Sequence, residues 1–413
     1  MAATSFPFNA SGVTENSVWR GLDWMLLLVV LTLSVWGCLT VVSATLARDD
    51  ASSAHAAMLS DASTEASQAT PSLATPTATS DAVKQAVWIG VGLAVMLTLA
   101  CFDFQWLIHL QAWLYGLNLL ALTLVLVLPA RLAPVINGAK SWIRLGPLAL
   151  QPAEFAKFFV LVTLAAFVCH RQEKIRSAGT VASSLFFVTP VLLLVLKQPD
   201  FGTMLAILCI WFGVMFFGGA RLRHLGFVAL CGTALFCALW HSGKLKPHQK
   251  ERLAVFLMPD DKLSPRNAGY QVKQSQIAIG AGQVTGQGFG LGMQKRGGWV
   301  PENSTDFVFT VVAEELGFAG GAALIALYLL LLLRAASVAT VTDNYFGVLL
   351  AGGFTALLAY HAIINLGMTM RVMPITGVPL PFFSYGGSSY LSFAAGAGLL
   401  QSIVVRQRRT GMW

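Results

Sequence analysis

The chain has 413 residues, 56% of them hydrophobic and only 11% charged, with a mean hydropathy of +0.68. Soluble domains carry about 25% charged residues, so the composition is that of a membrane protein and excludes an ordinary soluble fold. The net charge of +8 is scattered through short loops rather than gathered on one folded face, which excludes nucleic acid as a partner.

A membrane-crossing helix needs about 20 mainly apolar residues. Ten such stretches are predicted, at 22–46, 84–102, 106–129, 153–170, 179–197, 202–219, 222–241, 308–334, 345–368 and 386–405. The fold class is therefore an all-α polytopic bundle of about ten transmembrane helices, with a large loop between the seventh and eighth. Residues 1–21 and 406–413 are short termini, and 22–405 form the transmembrane domain. The first apolar run exceeds the 7–15 residues of a signal-peptide core, so it reads as an uncleaved span. All six cysteines (Cys38, Cys101, Cys169, Cys209, Cys231, Cys237) lie in or at the ends of apolar stretches. Disulfides and zinc sites are not expected from that pattern.

Loop 1, residues 47–83, is rich in Ala, Ser and Thr, with Pro71 and Pro76; it reads as a low-complexity disordered tether. The even loops are short, and the odd loops, which must share one side, carry most of the Gly, Pro and polar motifs. Arg171, Lys174, Arg176, Arg221, Arg223, Arg334, Arg406, Arg408 and Arg409 mark the even loops and the C-terminus as cytoplasmic. Loop 7 holds more Lys and Arg, but loops beyond about 60 residues weigh little in that rule. Both termini are expected inside, with the odd loops outside.

Loop 3 contains Lys140, Trp142 and Arg144, followed by Gln151-Pro152-Ala153-Glu154-Phe155-Ala156-Lys157. Pro152 suits the first turn of a helix, which sets Glu154 and Lys157 at i and i+3, able to pair on one face. The pair reads either as a packing device or as part of a site, since ionisable residues within spans are costly. Trp142 reads as an interfacial anchor or as a sugar platform flanked by cations. In loop 5, Gln198-Pro199-Asp200-Phe201-Gly202-Thr203 forces a tight turn; Asp200 reads as a helix cap, with ligand contact as the alternative.

Loop 7, residues 242–307, carries nine Lys and Arg and ten Gly. Its run Gly286-Gln287-Gly288-Phe289-Gly290-Leu291-Gly292 follows no strand, so a dinucleotide fingerprint fails. The glycines read as turns allowing close backbone approach, with phosphate one candidate for what approaches. Residues 270–281 have helical polar spacing suited to an amphipathic surface helix. Lys295 and Arg296 precede Pro301-Glu302-Asn303-Ser304-Thr305-Asp306-Phe307. Asp306 opens the eighth span and reads either as an N-cap or as the acid of a site at the membrane surface. Glu314 would lie about 12 Å deeper and roughly 80° around from it, while Glu315 points almost opposite and needs another partner. Loop 9 runs through Gly377-Val378-Pro379-Leu380-Pro381-Phe382-Phe383-Ser384-Tyr385-Gly386-Gly387-Ser388-Ser389. Its prolines and glycines preclude a helix, and irregular backbone at membrane depth is tolerated only where it lines a cavity or is buried in protein.

Four blocks, at 138–157, 198–203, 301–317 and 377–389, together resemble the SEDS family of bacterial cell-wall proteins, in family order and with a ten-span layout. The resemblance runs from about residue 20 to 405. The Gly-Val-Pro-Leu-Pro form in loop 9 looks more like the RodA branch than the FtsW branch. The resemblance implies a bundle with a cavity opening outward and a glycosyltransferase that polymerises lipid II into glycan strands. It implies the bacterial cell membrane as location, and as partners a class B penicillin-binding protein, other elongation or division proteins, membrane lipids and undecaprenyl-pyrophosphate-linked glycan. It carries the family's essential acid onto Asp306 and its ion-pair motif onto Glu154 and Lys157. Beside them, Lys140, Trp142, Arg144, Asp200, Lys295, Arg296, Glu302, Thr305, Glu314, Pro381, Ser384, Tyr385, Gly386, Gly387 and Ser388 are the expected substrate-binding set. The chain departs from the family in its long loop 1 and in Ser304, where His is common. No resident cofactor is required; a divalent ion, Mg or Mn, is the one candidate to assist the pyrophosphate. A lipid II flippase and a non-catalytic scaffold for a penicillin-binding protein are the competing readings. The polar motifs crowd one face, which argues against the flippase.

Overall fold

The structure is a computed structural model; it describes residues 19–62, 78–135, 139–146, 148–241, 268–300 and 302–409. Much of loop 7, with Lys250, Arg252 and Arg266, lies outside the described residues, as does Pro301. The helices are α1 (Trp24–Ala62), α2 (Ala78–Cys101), α3 (Gln111–Val127), α4 (Pro152–Cys169), α5 (Ala178–Lys197), α6 (Phe201–Phe217), α7 (Leu222–His241), α8 (Ala268–Ala281), α9 (Val308–Val341), α10 (Tyr345–Thr369) and α11 (Gly387–Arg409). Each of the ten predicted apolar stretches coincides with one of them. Seven are long and apolar enough to cross a membrane, and α3, α6 and α7 are shorter apolar helices. The chain is a multi-pass helical membrane protein.

Two boundaries differ from expectation. The α1 backbone stays helical to Ala62, and α2 begins at Ala78, so residues 47–62 and 78–83 are helix rather than tether, while 63–77 lie outside the described residues. Their alanines, the best helix formers, outweigh their polar content. In loop 3, Ile143–Leu145 and Leu148–Leu150 pair as an antiparallel hairpin. Leu145 opposes Leu148, and Gly146 turns the chain at φ 63°, as the first position of a tight hairpin turn favours.

The centre of the bundle is α4, α10 and α11, buried along most of their lengths, while α2 and α7 present broad apolar faces outward. A lipid environment removes the hydrophobic drive between helices, and small residues then permit close approach. At the α6–α10 contact, a Cβ on Gly213 would lie 2.9 Å from the Gly352 carbonyl oxygen. One end of the bundle is stitched by arginines. Arg334 pairs with Asp23 at 2.5 Å, Arg406 with Asp103 at 3.2 Å, and Arg408 donates to the Leu22 carbonyl at 2.7 Å. The polar motifs gather at the opposite end.

Candidate functional site

α4 opens as its sequence predicts, with Pro152 in the first turn. Lys157 Nζ donates to Glu154 Oε2 at 2.7 Å, both side chains buried. The lysine also lies 3.3 Å from His361 Nε2 on α10 and 5.3 Å from the Phe393 ring centre. His361 Nδ1 stands 2.9 Å from the Pro379 carbonyl. A carbonyl only accepts, so Nδ1 carries the proton and Nε2 receives the lysine's. The pair is thereby chained to loop 9. The loop 9 sequence passes no signal that His361 is its partner, except that a histidine within a span invites one.

Asp200 caps α6: Thr203 donates its backbone N–H to Oδ1 and its hydroxyl to Oδ2, both at 2.9 Å. Gln151 Nε2 donates to Asp200 Oδ2 at 3.2 Å, and its backbone N–H donates to Ser388 Oγ at 3.1 Å. One glutamine therefore joins loops 3, 5 and 9. Burial raises the Asp200 carboxyl above the usual range; the Thr203 bonds work in the opposite direction.

The end of loop 7 is bound to α9 in an unforeseen way. α9 breaks at Gly317 (φ 64°, ψ −160°), about 14 Å along the helix. The N–H groups of Phe318 and Ala319 would ordinarily reach the carbonyls of Glu314 and Glu315. They donate instead to Gln283 O at 2.8 Å and Val284 O at 3.2 Å. The two abandoned carbonyls accept from Gln287 and Gly288, each at 3.0 Å. A loop segment thus replaces four helix hydrogen-bonding positions, as buried backbone must be satisfied somehow. Gly286 permits this approach: a Cβ there would meet the Glu315 carbonyl oxygen at 2.1 Å. Gly292 likewise approaches α9, where a Cβ would meet the Glu314 carboxylate at 2.8 Å, whereas Gly290 has open space around it.

This docking also corrects the roles expected of two charged residues. The Glu314 carboxylate accepts the backbone N–H groups of Gln294 at 2.6 Å and Lys295 at 3.3 Å, anchoring the turn Met293–Arg296. Lys295 is buried and pairs with Glu315, and both reach Ser43 of α1, at 2.6 Å in each case. The Lys295 ammonium and the Glu314 carboxylate are thus both engaged within the protein. Glu315 has found the partner its position required. α8 forms as predicted, with Lys273, Gln276 and Ile277 exposed on one face, while on the other Ser275 reaches Thr310 Oγ1 at 2.7 Å and the Thr369 carbonyl at 2.9 Å and docks the helix on the bundle.

Around Asp306 the backbone is held from loop 9 and α10. Three successive carbonyls accept three different donors: Ser304 from the Tyr385 N–H at 2.9 Å, Thr305 from Ser384 Oγ at 2.6 Å, and Asp306 from Asn365 Nδ2 at 2.9 Å. Phe307, not Asp306, occupies the cap position of α9, and it makes no side-chain cap. Asp306 itself is half-buried. Thr305 Oγ1 donates to the exposed Glu302 at 2.9 Å.

The remaining expected ligands divide into two groups. Lys140 closes the C-terminal end of α3 by donating to the Leu126 carbonyl at 3.0 Å. Pro381 is buried with its carbonyl on the Tyr328 hydroxyl at 2.5 Å, and the Ser384 and Ser388 hydroxyls are engaged internally. Gly387 packs on Trp88, and Gly386 donates its N–H to the buried Gln85 at 3.4 Å. These groups form the scaffold of the site. Arg144, Arg296 and Glu302 are exposed, and Trp142 and Tyr385 half-buried. Burial, then the nearby Asp81 carboxylate, raises the Tyr385 phenol, so it remains a neutral hydroxyl donor. Gln85, Ser43, His361 and Asn365 were not anticipated; each is a polar residue inside an apolar run, which is the one signal that points to them.

The fold and this end of the bundle define a polytopic helical membrane protein with an acidic residue fixed at a convergence of loops. The family to which it belongs is that of the FtsW/RodA/SpoVE cell cycle proteins, whose profile matches residues 57–409. The chain is 36% identical to the probable peptidoglycan glycosyltransferase FtsW of Nitrosococcus halophilus, over 77% of this chain and 82% of that one. It is 31% identical to the peptidoglycan glycosyltransferase RodA of Treponema pallidum, over 79% and 90%. A chain solved within a peptidoglycan synthase complex that coordinates polymerization and crosslinking superposes with a TM-score of 0.71, at 33% identity, covering 94% of this chain and 99% of that one.

Proposed function

We infer that this chain is a peptidoglycan glycosyltransferase that polymerises lipid II into β-1,4-linked glycan strands at the outer face of the bacterial cell membrane. Family membership supports the activity. The observation that carries the chemical reading is the half-buried Asp306 on a backbone clamped at three successive carbonyls. The acceptor's GlcNAc 4-hydroxyl attacks the anomeric carbon of the lipid-linked donor, and the C–O bond to undecaprenyl pyrophosphate breaks. Asp306 takes the hydroxyl proton, a role worth about 10²–10⁴-fold in rate. Among the described residues of the expected set, Arg144 and Arg296 are exposed and offset the leaving pyrophosphate, while Lys140 and Lys295 are engaged inside the protein.

A divalent cation, Mg or Mn, would arrive with the pyrophosphate, as Mg commonly does with phosphates. Among the described residues no group of three or more His, Cys, Asp or Glu is placed to hold one, so no step is routed through it. Both termini lie in the cytoplasm in this reading, which the arginines at the Asp23 and Asp103 end support under the positive-inside rule. A class B penicillin-binding protein is the proposed partner, supported by the likeness to a synthase complex that also crosslinks.

The Gly377-Val378-Pro379-Leu380-Pro381 form favours an elongation role, and a septal role is the second reading because an FtsW relative matches at 36% identity. The decisive experiment incubates purified protein, with its partner, and lipid II in the presence of moenomycin. Glycan strands from wild type and a rate about 10²–10⁴-fold lower from Asp306→Asn are expected; full activity in Asp306→Asn would remove Asp306 as the base. Transbilayer movement of lipid II without polymer would favour a flippase.

A further inference from the structure

Asp306 sits on an irregular stretch between the single turn Met293–Arg296 and the first residue of α9. Locally the stretch is a turn, with Phe307 and Thr305 donating their N–H groups to the Glu302 carbonyl at 3.0 and 3.3 Å, and Phe307 at the cap position makes no side-chain cap. Two side chains remote in sequence tie this turn to the rest of the fold at residues 305 and 306. Asn365, completely buried on α10, donates its amide to two carbonyls at once: Asp306 at 2.9 Å and Val378 of loop 9 at 2.7 Å. Because both partners are acceptors, the orientation of the amide is determined: the NH₂ faces them. Ser384 does the same with one hydroxyl. It donates to the Thr305 carbonyl at 2.6 Å and accepts the Leu380 N–H at 2.9 Å. Each side chain thus spans from the Asp306 segment to loop 9, and the two attachment points fall on adjacent residues, 305 and 306. Adjacent peptide units held by separate donors leave the intervening backbone dihedrals little freedom, and these set the direction of the Asp306 side chain.

We propose that Asn365 and Ser384 are positioning residues for the transfer reaction: they hold Asp306 in the geometry in which it takes the acceptor's proton. The proposal rests on Asp306 being the base. It removes Ser384 from the set of substrate ligands, since its hydroxyl already donates once and accepts once inside the protein. Misplacing a catalytic group by about 1 Å costs on the order of 10²-fold in rate. A loss of that size in turnover, without a change in half-saturating substrate concentration, is the expected signature.

The test uses the full chain with its partner, reconstituted in liposomes with lipid II, and measures initial rate against lipid II concentration. Asn365→Asp has the shape of the native residue but replaces the donor NH₂ with an acceptor. Ser384→Ala removes only the hydroxyl. Both are expected to lower turnover about 10²-fold at unchanged half-saturation, while Ser384→Thr, which keeps the hydroxyl, restores it. In an Asp306→Asn background, where no base remains to be positioned, adding Ser384→Ala should cause no further loss, because groups acting as a unit are non-additive. Gel filtration confirms that each variant is folded; if Ser384→Ala is not, Asn365→Asp carries the same comparison. Wild-type turnover in the two variants beside a strongly impaired Asp306→Asn overturns the positioning role and leaves the base reading intact. So does a full additional loss from Ser384→Ala on Asp306→Asn. Normal turnover in Asp306→Asn overturns the base reading, and this proposal with it.

Discussion

Replacing Lys295 with Met removes the cation from a carboxylate that has almost no access to solvent. The Lys295 and Glu315 side chains are 1% and 3% exposed, so water cannot solvate Glu315 once the ammonium is gone. Breaking a buried pair from one side costs about 3–5 kcal/mol. Glu315 would keep the Ser43 hydroxyl at 2.6 Å, which places the expected loss near the lower end, about 3 kcal/mol. The double variant Lys295→Met/Glu315→Leu leaves no buried charge and should recover most of that loss, because apolar replacement of a whole buried pair is often neutral or stabilising. The pairwise coupling is then read from the cycle of single and double variants. Denaturant titration in lipid–detergent bicelles, followed by the fluorescence of the 11 tryptophans, measures it. If Lys295→Met unfolds at the wild-type midpoint, or the double variant is no more stable than the single, the pair does not hold loop 7 as described.

Gly286→Ala should be severely destabilising. Its Cβ would stand 2.1 Å from the Glu315 carbonyl oxygen, adding about 1–3 kcal/mol of overpacking to the cost of a positive φ. Gly290→Ala has a positive φ but open space around it, and should lose only about 1–2 kcal/mol; thermal unfolding of the two compares them directly. Asp200 predicts a pH dependence: its folded pKa is raised by burial, so its contribution is fully present below the unfolded carboxylate range. That contribution is lost as pH rises past the raised folded value, because the fold then holds a buried anion. Asp200→Asn keeps a capping oxygen but cannot ionise, and its unfolding midpoint should stay flat across that window where wild type declines. Gln151→Ala removes the side-chain bond between loops 3 and 5 while its backbone N–H still reaches Ser388 and Thr203 still satisfies Asp200 Oδ2, and should cost about 1 kcal/mol, seen as a lower melting temperature.

The sequence made legible whatever depended on one segment. Ten apolar stretches located ten helices, Pro152 set the frame that pairs Glu154 with Lys157, and Asp200 stands where a helix cap was expected. What required two segments was not readable. Glu315 visibly needed a counter-charge, but nothing in the sequence selects Lys295 and Ser43, which come from a loop and from α1. The glycines of loop 7 announced a close approach without saying to what, and Gly317, which breaks α9, looks like any helical glycine in an apolar run. The same limit explains the surplus of expected ligands. Lys140, Lys295, Ser384 and Ser388 have the right chemistry for pyrophosphate or sugar, and the fold uses each to satisfy its own backbone or carboxylates.

Both irregular segments next to Asp306 are held by a buried lysine–glutamate pair. Lys157, bound to Glu154, reaches loop 9 through His361 and the Pro379 carbonyl. Lys295, bound to Glu315, sits in the turn whose own backbone is anchored on Glu314. Buried ion pairs add little net stability over apolar packing, because desolvation offsets attraction. Their presence in a chain that is only 11% charged therefore needs another reason. Regular helices hold themselves together through their own backbone bonds, whereas loops 7 and 9 at this depth have too few. A charged pair supplies what apolar side chains cannot, several directional bonds from one point to groups on different segments. One pair is chained to loop 9 and the other to the end of loop 7, the two segments that Asn365 and Ser384 join.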